Sequence, residues 1–242
     1  MIGPRGRAYL IISTMVAAAA LLSYVAIRPI DTPAPRVTAS KPKLMLLTSL
    51  PLIFNEDFSL QGGGSAALAA LRARYEVDPI SATDGAVLAK GRLLLMAQPQ
   101  AQTAENLVIL DQWVRRGGRV MLLADPMLEW PSKLPLGDPG RPPSMFMDTG
   151  LLAHWGLRLD TPEERGPAIR QLGGDAIETA SPGSLSGACA ISEDGLVARC
   201  RIGKGWATVV ADSDFLNAEA LGTDAGRNLD GLLKELAKLE SQ

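Results

Sequence analysis

This chain of 242 residues has one histidine, two cysteines and only 5% aromatic residues, and each scarcity removes a class of chemistry. One His and two separated Cys make no ligand cluster for a transition metal. A Ser-His-Asp triad would need His154 beside an exposed nucleophile, and no GxSxG elbow occurs. His154, in LLAHWGL, reads instead as a helix-end residue packed on Trp155. No Lys follows the glycine run QGGGS at residues 61–65, so it is not a Walker loop, and the GxGxxG order is missing. That run reads as a loop leading into a helix capped by Ser65. No cofactor fingerprint is found and no metal is expected.

Positive charge is also in short supply. The net charge is −2, and the first 42 residues hold Arg5, Arg7, Arg28, Arg36 and Lys41 against Asp31 alone, which leaves the rest of the chain at about −6. An acidic domain without a basic stripe has no counterion-release term for a phosphate backbone, so nucleic acid is set aside as a ligand. What the chain does have is 47% hydrophobic and 21% charged residues, enough for one globular domain of about 200 residues plus a tail.

The tail has a character of its own. Residues 8–27, AYLIISTMVAAAALLSYVAI, run twenty positions without a charge, long enough at about 1.5 Å per residue to span about 30 Å of hydrocarbon. A single transmembrane anchor is expected there, behind a cytoplasmic residue 1–7 segment. The alternative is a cleaved signal peptide with its small-residue site at Val37, Thr38 and Ala39, but that site lies well beyond the apolar run. Residues 28–42 carry four prolines and read as a semi-rigid stalk. Residues 43–242 then form the main domain.

Within it, residues 44–47, 93–97, 120–124 and 207–211 are continuously apolar, the pattern of parallel strands covered on both faces. Helices are expected at 65–75, at 103–116, ending at Gly117 and Gly118, and at 228–239, where Leu229, Leu232, Leu233, Leu236 and Leu239 share one face. Strand and helix alternating in this way predict an α/β fold: an open, doubly wound, mostly parallel sheet, with a small antiparallel extension from shorter strands over 168–202. Residues 127–144 hold five prolines, an irregular loop of the kind used as a lid or contact surface. Trp130 within it has two open readings, a plug for the loop or an anchor for a partner.

The cysteines bear on the compartment. In GACAISEDGLVARCRIGKG, a four-residue turn from Glu193 to Leu196 pairs residue 192 with 197 and sets Cys189 opposite Cys200, about 4.5 to 5.5 Å apart at Cα. A three-residue turn would break that register and leave two buried thiols. Taken with the anchor, the pairing predicts a disulfide and an exported, periplasmic domain.

In open α/β sheets, ligands sit beyond the carboxyl ends of the strands. That rule selects Asn55, Glu56 and Asp57 after the first apolar run, Gln98 after the second, Asp125 after the third, and Asp212 and Asp214 after the last. Such carboxylates could bind a divalent cation or work as an acid and base pair. They could equally cap helices and close turns, and Asp214 before Phe215 and Leu216 fits an N-cap.

Three stretches together resemble the gliding-motility-type ABC transporter auxiliary proteins (GldG-like): LLLMAQPQAQTAENLVILDQWVRRGGRVMLLADP at 93–126, TSLPLIFNE at 48–56 and GKGWATVVADSDFLN at 203–217. The resemblance implies a fold similar to class I glutamine amidotransferases, tethered to the membrane beside an ABC-type permease and ATPase. It does not imply catalysis. An amidotransferase of that fold needs a cysteine just after a central strand, and the matching place here reads Gln98, Pro99, Gln100. The expectation is a non-enzymatic, inner-membrane-anchored periplasmic accessory domain that acts by docking onto a transport or envelope complex. A ligand- or metal-binding sensor using the acidic rim and a carboxylate-dependent hydrolase are the alternatives.

Overall fold

Four aliphatic runs become the middle of one sheet because each can bury both of its faces. In the computed structural model, which describes residues 41–54, 64–222 and 225–242, they are β1 (Lys43–Thr48), β3 (Leu93–Ala97), β4 (Arg119–Leu123) and β11 (Gly205–Val210). They fall within one residue or two of the apolar runs. The strand order is β2-β1-β3-β4-β11-β10-β9, where β2 is Glu76–Pro79, β9 Ala190–Ile191 and β10 Val197–Ile202. The first five are parallel, and β10 and β9 continue the sheet antiparallel. Alternate residues along a strand face opposite sides. Leu44, Leu46, Leu95 and Leu123 therefore enter one core, and Met45, Leu47, Leu94 and Leu122 the other.

The first core is closed by α1 (Ala66–Arg74) and by the long helix α6 (Ala225–Glu240), which contributes the five leucines from Leu229 to Leu239. The second is closed by α2 (Gly85–Leu88), α3 (Ala104–Arg115) and α4 (Leu151–His154). Ser65 and Thr103 accept from the amides of Leu68 and Asn106, so α1 and α3 start where their capping residues place them. The sheet is thus wound on both faces, as the alternation of elements predicts.

The antiparallel extension is split in two. β6 (Pro167–Leu172) and β7 (Asp175–Ala180) form a hairpin across Gly173 and Gly174, while β5 (Leu157–Asp160) pairs with β8 (Ser184–Gly187). The β6-β7 hairpin packs Leu172 and Ile177 into the first core beside α6. Gly173 is needed for this approach: its φ is +67°, and a Cβ there would lie 2.3 Å from the Gly231 carbonyl oxygen. A short helix α5 (Ala218–Leu221) precedes α6. Residues 127–144 are irregular, as their prolines predict.

The Cys189–Cys200 disulfide is formed, with 4.9 Å between the Cα atoms. Ala198 faces Ile191 and Arg199 faces Ala190, the register of a four-residue turn. His154 departs from its expected place. It ends α4 but is exposed, its Nε2 3.2 Å from Arg115 Nη2 and 3.5 Å from Asp111 Oδ1. Trp155 is the buried member of that pair and donates to the same Asp111 oxygen at 3.0 Å.

The proposed anchor at 8–27 and all of the stalk except Lys41 and Pro42 lie outside the described residues, as do Asn55, Glu56, Asp57 and Gln61 to Gly63. Among the described residues no helix is long and apolar enough to cross a membrane.

Candidate functional site

The rim beyond the strand ends is built by register. Val210 lies beside Leu123 in the parallel pair of β11 and β4, so two residues further on Asp212 stands beside Asp125. A single 3-10 turn, Asp214–Leu216, then folds the chain back and brings Asp214 to the same place. One carboxylate oxygen from each of Asp125, Asp212 and Asp214 lies within 4.8 Å of the others, and all three residues are buried. Of the rim residues selected from sequence, these three and Gln98 are brought together.

Each carboxylate also holds backbone. Asp125 Oδ1 accepts from the Met127 amide at 2.8 Å, and its Oδ2 from the Ser213 amide at 2.9 Å and the Ser213 hydroxyl at 3.3 Å. Asp214 Oδ2 accepts from the Glu129 amide at 2.8 Å. Asp214 is not the cap expected of it: the turn begins at Asp214 itself, its N-cap position is Ser213, and the Phe215 amide is received by Asp212 Oδ1 at 3.0 Å. Asp212 Oδ2 has no hydrogen-bond partner.

Packing three acids into one dry place raises their proton affinity. Burial, then the charges of Asp125 and Asp214, push Asp212 well above the usual carboxylate range, against the Phe215 and Ala180 amides, which favour the ionised form. Asp214 is pushed up to about 7, first by burial and then by Asp125. Asp125 is pushed up to about 6 by burial, partly offset by the amide and hydroxyl donors it holds.

Gln98 closes the neighbouring part of the rim. Its φ is +43°, a left-handed conformation uncommon outside glycine. Its buried side chain accepts from the Asp125 amide at 3.0 Å and donates to the carbonyls of Asp125 at 3.2 Å and Pro143 at 3.1 Å. Its own carbonyl receives the Ser49 hydroxyl. The sharp bend that ends β3 is therefore occupied by an amide that joins β3, β4 and the proline-rich loop.

Trp130 is half-buried against the α1 and α6 core, so it secures the loop; its plug reading is the one the packing favours. The exposed apolar side chains lie further on: Leu136 at 84% exposure, Met145 at 50% and Met147 at 51%. These three line one shallow depression with Pro139, Pro142 and Gln100.

Sequence reasoning missed a second feature, a groove of about 600 Å³ between the loop, the β6-β7 hairpin and α5. Glu129, Glu178, Thr179, Asp214, Asn217 and Leu221 are among its walls. Ser181, with φ +48°, donates to Glu129 Oε1 at 2.6 Å, and Arg165 lies 3.7 Å from the same oxygen. No pattern local to Glu129 or Ser181 marks them, since they meet across 52 residues.

With this geometry in place, the comparisons with known proteins are informative about family and fold. The model of the family described as an ABC-type uncharacterized transport system matches residues 41–163, just over half of the chain, and the chain belongs to that family. No curated protein matches. Among solved structures, the N-terminal domain of mmIFT52 is similar at a TM-score of 0.52 and 12% identity, over 81% of this chain and 97% of its own. The beta-galactosidase from Rahnella sp. R3 is similar at 0.50 and 14%, over 83% of this chain and 32% of its own. The exo-beta-1,4-mannosidase Op5Man5 from Opitutaceae bacterium strain TAV5 gives 0.44 and 13%, over 83% and 35%. The chain spans about a third of the length of these two glycosidases. At such identities the likeness to mmIFT52 and to the Rahnella enzyme is one of fold alone.

Proposed function

We propose that this chain is a non-enzymatic accessory domain of an ABC-type transport system, anchored to the inner membrane by residues 8–27, facing the periplasm and acting by docking onto a membrane subunit of that system. Membership of the family supports the transport setting. The observation that carries the non-enzymatic reading is Gln98. In a fold resembling the class I amidotransferases, the strand-end bend holds a glutamine whose amide is fully engaged in joining the sheet to the loop, so no nucleophile faces out from it. The disulfide supports an oxidising compartment, since such bonds are rare where thiols are kept reduced. Leu136, Met145 and Met147, presented on a loop stitched down by Gln98, supply the exposed apolar surface that a protein partner would cover.

The test places a photo-crosslinking residue at Leu136 and, as a control, at exposed Arg158 on β5 in the full chain, expressed from its native locus and solubilised in detergent. Crosslinking from position 136 and not from 158 to a permease or ATPase subunit is expected. A chain that purifies without such a subunit and crosslinks to none would overturn the docking role.

A further inference from the structure

The hydrogen bonds of the acidic rim leave one strong ligand atom over. Asp125 uses both carboxylate oxygens on Met127 and Ser213, Asp214 holds Glu129, and Asp212 holds Phe215 through Oδ1 alone. Asp212 Oδ2 sits in a residue with 0% exposure and has no hydrogen-bond partner, although the Ala180 amide also faces this carboxylate. A buried carboxylate oxygen without a partner is costly, so something other than the chain's own donors is called for. The charges that act on Asp212 are Asp125 and Asp214, and those that act on Asp214 are Asp125 and Glu129, all of one sign. Asp212 thus carries an unsatisfied oxygen and stands with two other acid groups, one carboxylate oxygen of each of the three lying within 4.8 Å of the others.

We propose that Asp125, Asp212 and Asp214 bind one hard divalent cation, Mg²⁺ or Ca²⁺, with Asp212 Oδ2 as its anchoring ligand. Oxygen-only donors select hard cations over the softer transition metals, which prefer imidazole and thiolate. A double positive charge offsets most of the mutual repulsion of the three carboxylates and supplies the partner that Oδ2 lacks. Asp214 forms part of the wall of the 600 Å³ groove, which gives an ion and its remaining waters a route in. The consequence reaches beyond the cluster. Asp125 and Asp214 hold the amides of Met127 and Glu129, the first residues of the proline-rich loop, so a bound ion fixes where that loop leaves the sheet. Only this last step rests on the docking role; ion binding does not.

The test uses the purified full chain, stripped with a chelator, and Mn²⁺ as a spectroscopic probe. Saturable binding of one Mn²⁺ per chain is expected, displaced by Mg²⁺ or Ca²⁺, with a Kd no weaker than the roughly 10⁻⁴–10⁻³ M of extracellular Ca²⁺ modules. Asp212→Asn should weaken it at least about tenfold, since even loss of a group that only orients a metal ligand costs about 10–100-fold, while the circular dichroism spectrum is kept. If that variant does not fold, Asp214→Asn, on the groove side, should show the same loss. Glu105→Gln, in the exposed first turn of α3, should leave binding unchanged. Absence of saturable Mn²⁺ binding by the wild-type chain, or binding of equal strength in a folded Asp212 or Asp214 variant, overturns the proposal. The readout involves no partner protein, so a failure of docking cannot be mistaken for a failure of ion binding.

Discussion

Raising the pH should destabilise the chelator-stripped protein across a window set by the acidic rim. Asp214 has its carboxyl pushed up from 3.8 to about 7 by burial and by Asp125. Between those values the folded chain holds a proton that the unfolded chain releases, so the stabilising contribution is complete below 3.8 and is lost as the pH rises through 7. A difference of three units at about 1.36 kcal/mol each amounts to about 4 kcal/mol. Asp125, pushed up to about 6, and Asp212 draw on the same protons, so this figure stands for the cluster and is not multiplied by three. For a domain of this size 1 kcal/mol moves Tm by about 2–4 °C, which predicts a fall of roughly 8–16 °C. Asp111 and Asp194 act in the opposite sense. Burial raises them, but donors from Arg115 and Trp155 in one case and from Ser192, Gln171 and Leu196 in the other outweigh it, and their contribution is lost at the acid end. The clean measurement is therefore the difference in Tm between Asp214→Asn and wild type, both in EDTA, from pH 4 to 8. Asparagine keeps an acceptor for the Glu129 amide and carries no charge, so the variant should gain on the wild type steadily as the pH rises. Two melting curves that stay parallel through that window would show that Asp214 holds no extra proton in the folded chain.

Two further changes probe the frame on which the rim is built. Glu235 of α6 is 1% exposed and receives Arg199 of β10 at 2.6 and 2.8 Å, so Arg199→Ala should leave a buried carboxylate with only Lys238, 3.7 Å away, as counter-charge. Because the guanidinium is partly in solvent, the cost should sit near the low end for such pairs, about 3 kcal/mol by urea unfolding. The double variant Arg199→Met with Glu235→Leu should recover most of it, and a double variant as unstable as the single one would count against this account. Reducing the Cys189–Cys200 bond, which closes a separation of 11 residues, should cost about 3 kcal/mol on the loop-entropy estimate. An unchanged urea midpoint with and without reductant would show that the hairpin register alone holds β9 in place.

What could be read from the sequence was what the chain decides locally. β1, β3, β4 and β11 are buried on both faces, so their aliphatic runs are uninterrupted and mark themselves. Ser65 and Thr103 mark two helix starts because a cap needs only the next three residues. The Cys189–Cys200 pairing was legible for the same reason, since a four-residue turn fixes every pair in its hairpin. β2 left no such mark: it is an edge strand with no buried residue and a proline at its end, where one missing donor goes unnoticed. The β5-β8 and β6-β7 pairings mix polar residues with only a few buried apolar ones and so carry little apolar signal.

The acidic rim lies between these cases. Asp125, Asp212 and Asp214 could each be picked out as strand-end carboxylates, but their meeting depends on β11 entering the sheet beside β4 after 81 intervening residues, which no local pattern records. The same holds for Glu129, Ser181 and the groove they border. The crowding of the three acids follows from that one strand insertion, because β11 brings Asp212 alongside Asp125, and Asp125 is in turn tied through its backbone to Gln98. Whatever binds or neutralises the carboxylates therefore acts on the same hydrogen-bonded unit that fixes the base of the proline-rich loop. This arrangement can couple the state of a buried acidic cluster to the exposed apolar surface at Leu136, Met145 and Met147.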